Sequence, residues 1–176
     1  MERTSEVAMS ASERGWPTLY VHLRYRKPED AIEWLVRVFG FREITRANSP
    51  DDRLIVAELE GPEGGTVMIA TLDDAFRAWM RERAATRHDD VAPYPWLDVV
   101  TSLLVGNVDD HWRRSCDEGA EILDPPQDQP WGLRSYAVLD IEGHQWQFAE
   151  QRQKVAPEAW GAIRRIEEGS IHGNRR

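Results

Sequence analysis

The stretch Asp140-Ile-Glu-Gly-His144-Gln-Trp-Gln-Phe-Ala149 runs from a tight turn straight into a strand, and it brings a histidine and two amides beside aromatic residues. Imidazole and carboxylate would make such a strand a donor of metal ligands, whereas glutamine amides suit the wall of a pocket. Strand side chains alternate, so Gln145 and Gln147 share one side while Trp146 and Phe148 share the other. His144 belongs to the turn and is expected to face solvent. A second candidate, His22, lies in Thr18-Leu-Tyr-Val-His-Leu-Arg24, where Thr18, Tyr20, His22 and Arg24 alternate with Leu19, Val21 and Leu23. Two readings of His22 stand: a hydrogen-bonding or acid/base group in a pocket, or a satisfied sheet histidine.

The remaining candidates are weaker. Cys116 falls on the apolar stripe Val108, Trp112, Cys116 and reads as a small core residue. His88 and His111 fall on positions read as exposed, with no partner at catalytic spacing. Asp51-Asp52 and Asp89-Asp90 lie in loops, and Gly64-Gly65 lacks the pattern and following helix that cradle phosphate.

The elements that position these groups occur twice. A helix from Pro28 to about Phe39 has proline in its first turn, acids at Glu29 and Asp30, apolar Ala31, Leu35 and Val38, and a stop at Gly40. A second begins at the N-cap Asn107, carries Asp109 and Asp110 in its first turn, and stops at Gly119. A strand precedes each helix, and three follow. Gly64 leads into Thr66–Ala70 as Gly143 leads into His144–Ala149, with the same separation as Gly40 and Gly119. The chain therefore reads as a disordered polar leader (1–16), a βαβββ module (17–72), a linker (73–97), a second βαβββ module (98–151) and a tail (152–176). Within the linker, Asp73-Asp74 cap a short helix bearing Phe76, Trp79 and Met80, ahead of a loop at Ala92–Trp96. The tail places Trp160, Ile163 and Ile166 on one side of a further expected helix, which must cover a sheet or a neighbouring subunit.

Composition narrows the function classes. A hydrophobic share of 41% is ordinary for a globular domain, and no apolar run is long enough to span a membrane as a helix. The leader lacks the apolar segment of a secretory signal, and one cysteine permits no intrachain disulfide, so a cytoplasmic setting is expected. A net charge of −9 argues against nucleic acid, and the pairs Arg113-Arg114, Arg164-Arg165 and Arg175-Arg176 read as solvated surface. Eight tryptophans point to a bulky core or an aromatic-lined pocket.

On the runs Ala31–Phe41 (AIEWLVRVFGF), GAEIL, and Gln129–Phe148 (QPWGLRSYAVLDIEGHQWQF), the chain resembles the vicinal oxygen chelate superfamily of glyoxalase, bleomycin-resistance and extradiol-dioxygenase proteins. The resemblance implies an α+β fold in which two βαβββ modules form a curled mixed sheet around a U-shaped cleft, with the linker and C-terminal helices added. In metal-dependent members, four side chains from the first and fourth strands of each module hold a divalent cation. The matching positions here are Tyr20, Met68, Val100 and Gln147. Thioether is soft, valine donates nothing and an amide oxygen alone is weak, so no metal and no other cofactor is expected. By the same resemblance the Trp131–Arg134 loop overhangs the cleft mouth, either to grip a flat or anionic ligand or to serve as a structural anchor. The expected ligand wall is Tyr20, His22, Arg24, Met68, Ser102, Trp131, Arg134, Tyr136, Gln145 and Gln147. That mixture suits a planar or peptide-like organic molecule held without chemistry. The rival reading is a metal-independent lyase or isomerase with His22 as general base and Arg24 or Arg134 stabilising negative charge; a third is a plugged cleft with a scaffold role. The amphipathic tail points to a homodimer.

Overall fold

The computed structural model describes residues 19–85 and 99–163. The leader, Thr18, His88, Asp89-Asp90, the loop at 92–96, Arg164-Arg165, Ile166 and Arg175-Arg176 lie outside the described residues.

The first unit runs β1 (Val21–Tyr25), α1 (Pro28–Phe39), β2 (Arg42–Asn48), β3 (Leu54–Glu60) and β4 (Thr66–Thr71). After α2 (Asp74–Ala85), the second runs β5 (Val100–Leu104), α3 (Val108–Asp117), β6 (Glu121–Asp128), β7 (Leu133–Leu139) and β8 (Gln145–Gln151). Each unit makes a four-stranded mixed sheet, in the orders β1-β4-β3-β2 and β5-β8-β7-β6. In each, the first strand pairs in parallel with the last, which the intervening helix crossover permits. The architecture is α+β, built from two open mixed sheets.

Helix α1 buries Ala31, Ile32, Trp34, Leu35, Val38 and Phe39 on its sheet and ends at Gly40, whose left-handed φ of 75° suits glycine. Lys27 supplies no side-chain cap at its start. Glu142 of the second unit does so instead, accepting from the backbone N–H groups of Arg26 (3.0 Å) and Lys27 (2.9 Å). Helix α3 is capped by Asn107, whose side chain accepts from the Asp110 N–H at 3.0 Å. Phe39, at the end of α1, packs edge-on against Trp146 and Phe148 of β8, so both units share one core.

Three expectations are corrected here. Helix α3 buries Val108, His111 and Ser115, while Cys116 is exposed, because Tyr136 of β7 supplies polar partners beneath the helix. His144 is largely buried rather than solvent-facing, its ring held by Asp140 and packed 4.5 Å from that of Tyr25. The tail forms a single 3-10 turn at Pro157–Trp160, stopped by Gly161 at φ 90°, and among the described residues it does not continue as a helix.

Candidate functional site

Both sheets turn their helix-bearing faces into the shared core, so their opposite faces point away from it. The first open face carries Tyr20, His22, Arg24 and Met68. His22 registers with Met68, which registers in turn with Glu58 on β3. Tyr20, just ahead of β1, lays its ring 5.2 Å from that of His22. The Arg24 guanidinium donates to the Thr71 carbonyl at 3.1 Å and sits 4.2 Å above the Phe76 ring. Asp73 caps α2 by accepting from the Phe76 N–H at 2.6 Å, and this fixes where that ring lies. Trp79 follows one turn later, its ring 5.4 Å from Phe76 and about half exposed. Sequence reasoning saw the Phe76/Trp79 stripe but gave it no part in the site; the stacking on Arg24 depends on where the linker folds back.

The second open face carries Ser102, Gln145 and Gln147. Ser102 pairs in register with Gln147, and its hydroxyl donates to the Gln147 side-chain oxygen at 3.2 Å. Exposed Val100 and Leu104 flank them on β5. Among the described residues, no hydrogen bond, ion pair or ring contact joins His22, Arg24 or Met68 to Ser102, Gln145 or Gln147. The expected wall residues on these faces therefore lie on two separate sheets.

Two predicted wall residues, Tyr136 and Arg134, lie elsewhere. Tyr136 registers with Phe148 and therefore faces the core. Its hydroxyl lies 2.6 Å from His111 Nδ1 and 2.8 Å from Ser115 Oγ, and burial pushes its pKa well above the usual tyrosine value. Arg134 points to the helix side, pairing with Asp109 on α3 (2.9 Å) and Asp128 (3.2 Å). Trp131 packs edge-on against Trp160, with ring centroids 6.0 Å apart, and keeps part of its surface exposed. An open hollow of about 560 Å³ lies near Arg134, lined also by Asp109, Asp128 and Arg152. Its cations are already matched by carboxylates, so it offers a ligand little unsatisfied charge.

The most heavily bonded carboxylate serves the fold. Asp140 Oδ2 accepts from the Tyr25 hydroxyl (2.5 Å), Trp146 Nε1 (3.0 Å) and the His144 ring (3.1 Å). Its Oδ1 accepts from the backbone N–H groups of Glu142 and His144, both at 3.0 Å. Burial pushes this carboxyl up, but the hydrogen bond and charge of His144, then Tyr25 and Trp146, more than offset it and hold Asp140 below the usual aspartate value. Tyr25 is raised, first by burial and then by the negative charge of Asp140.

Residues 18–148 match the family described as the glyoxalase/bleomycin resistance protein/dioxygenase superfamily. An uncharacterised protein of Mycobacterium bovis is 30% identical over 139 residues, which cover 79% of this chain and 86% of that one. The crystal structure of TioX from Micromonospora sp. ML1 shares 35% identity and a TM-score of 0.57, covering 80% of this chain and 98% of that chain. A family enzyme from Burkholderia phytofirmans PsJN, at 17% identity and a TM-score of 0.54 over 75% of this chain and 96% of that one, is similar in fold alone.

Proposed function

Because the chain belongs to the glyoxalase/bleomycin resistance protein/dioxygenase superfamily, we propose that it is a metal-independent binding protein that sequesters an aromatic or peptide-like small molecule. The observation that carries this reading is the donor set at the four positions where metal-dependent members hold their ion. Met68 is buried and offers a soft thioether, and Val100 offers nothing. Gln147 already accepts from Ser102. The fourth, Tyr20, is a phenol, so these four positions together supply neither the imidazole nor the carboxylate that a divalent ion prefers. The residues present do not fit the metal, and no three His, Cys, Asp or Glu side chains cluster to replace them among the described residues.

The enzymatic alternative rests on His22. A general base is ordinarily oriented by a further polar group, yet no hydrogen bond holds the His22 ring among the described residues. Aromatic surface, an amide pair and a cation support affinity better than turnover. We further propose that the binding protein is a homodimer in which the first open face of one chain closes over the second open face of its partner. The exposed apolar residues Leu104 and Val100 on that second face support this arrangement.

Native mass spectrometry of protein purified without added metal tests the reading. The expected result is a dimer free of stoichiometric transition metal that takes up aromatic small molecules saturably. One tightly held cation per chain would overturn it.

A further inference from the structure

The charge on Arg24 goes further and, resting on the binding reading above, specifies the ligand. Among the described residues, arginines typically meet a carboxylate: Arg42 meets Glu60, Arg134 meets Asp109, and Arg152 meets Glu150. Arg24 is half-buried on an open face, yet no described carboxylate lies within ion-pair distance of it. Among the described residues its hydrogen bond goes to the Thr71 carbonyl. The guanidinium has five N–H donors, so most of the fork is left over. Phe76 lies against the group, its ring centroid 4.2 Å from the guanidinium carbon, and the donors not used by Thr71 are left for a carboxylate or sulfonate. Glu58 and Glu60, the β3 acids sharing this face, sit two strands away and pair in register with Met68 and Thr66 rather than with Ala70, the partner of Arg24, and Glu60 is taken by Arg42. In a chain of net charge −9, a partly desolvated cation with no carboxylate partner among the described residues is a local exception that favours an anion.

Aromatic surface adjoins the fork. Phe76 and Trp79 form a two-ring platform beside Arg24, and Tyr20 with His22 flanks it along β1. We propose that Arg24 is the anion anchor of the binding site and that the ligand is a planar aromatic acid, its acidic group on the Arg24 fork and its rings against Phe76 and Trp79. Helix α2, outside both repeated units, thereby becomes part of the site.

Two fluorescent probes of matched skeleton separate this inference from the general binding reading. One is 8-anilino-1-naphthalenesulfonate; the other, N-phenyl-1-naphthylamine, lacks the sulfonate. Both should bind the wild-type protein saturably. Arg24→Gln should weaken the sulfonate by about tenfold or more, the worth of hydrogen bonds to a charged group, and the neutral probe by less than about twofold. Trp79→Ala should weaken both probes by about two- to tenfold. Added salt should weaken only the sulfonate on the wild-type protein, a readout independent of whether the variant folds. Equal effects of Arg24→Gln on the two probes, or equal salt dependence, would overturn the anion anchor while leaving the binding function intact. Failure of both probes to bind the wild-type protein would overturn both.

Discussion

Asp140→Asn should be among the most destabilising single-atom-scale changes the chain offers. Tyr25 and Trp146 both donate to Oδ2, while the backbone N–H groups of Glu142 and His144 donate to Oδ1. Asparagine keeps one acceptor oxygen and turns the other into an NH₂ donor: on the Oδ1 side it opposes two backbone N–H groups, and on the Oδ2 side it opposes Trp146 Nε1–H and forces the Tyr25 hydroxyl to turn and accept. Each hydrogen bond to a charged acceptor contributes about 1.5–3 kcal/mol, and the donors left behind are buried. Relief from burying a charge offsets part of the loss, giving a net cost of about 3–5 kcal/mol. With a urea slope of about 2 kcal/mol/M, the unfolding midpoint at pH 7 falls by about 1.5–2.5 M. Tyr25→Phe removes one of the same bonds and should cost about 1.5–3 kcal/mol. Because the two residues share a bond, the double variant should fall short of the sum by about 1 kcal/mol or more. The pH dependence has a fixed sign. The folded-state value of Asp140 lies below its unfolded value of about 3.9, so its contribution is complete above pH 4 and is lost as pH falls through the folded value. A midpoint shift below about 0.5 M, or strict additivity with Tyr25→Phe, would refute this account of how the two units are joined.

Burial holds His111 below its ordinary value, against the raising effect of its hydrogen bond to the Phe39 carbonyl and with a further lowering by Arg114. Its contribution is therefore complete above the unfolded value of about 6.5 and is lost as pH falls through the folded value, at no more than about 1.4 kcal/mol per pH unit. Urea midpoints at pH 7.5 and 5.5 should reveal this slope, and His111→Asn should remove it; an unchanged slope would show that another group titrates. Gly132→Ala should lower the melting temperature by about 4–10 °C. A Cβ there meets the Gln153 carbonyl oxygen at 2.3 Å on top of a φ of 90°. Gly143→Ala has the same backbone strain but open space around the new carbon, so it should cost only about 1 kcal/mol. Equal losses for the two would deny the clash.

What was legible in the sequence was whatever is written locally. Proline at the start of α1, glycine at its end, Asn107 ahead of α3 and the alternation in β1 each specify backbone without reference to the rest of the chain. The repeated order of these signals then led to two βαβββ units. Parity served well in β8, where Trp146 and Phe148 are fully buried and Gln147 faces outward. It offers no guide in β7, whose run Leu-Arg-Ser-Tyr-Ala-Val-Leu does not alternate. Only the pairing of Tyr136 with Phe148 decides which side faces the core, and a one-residue slip would exchange every side chain between faces.

Polar groups in the core were hidden for a different reason. His111 looks like a surface residue until Tyr136 and the Phe39 carbonyl are placed on either side of its ring. With Nε2 donating to the carbonyl and Nδ1 accepting from the phenol, the neutral imidazole satisfies both nitrogens and becomes as acceptable inside as a leucine. Neither partner is near in sequence, so no window along the chain carries the signal. His144 differs, because Asp140 stands four residues earlier at the head of a turn closed by Gly143, a short-range pattern in which an aspartate commonly binds the backbone ahead of it. The same distinction separates the two arginines assigned to the wall. Arg134 has acids at Asp109 and Asp128 once α3 and β6 are in place, and it drops out of the site. Arg24 gains an aromatic ring and a carbonyl but no acid among the described residues, and folding therefore leaves it with bonding capacity that a ligand can use.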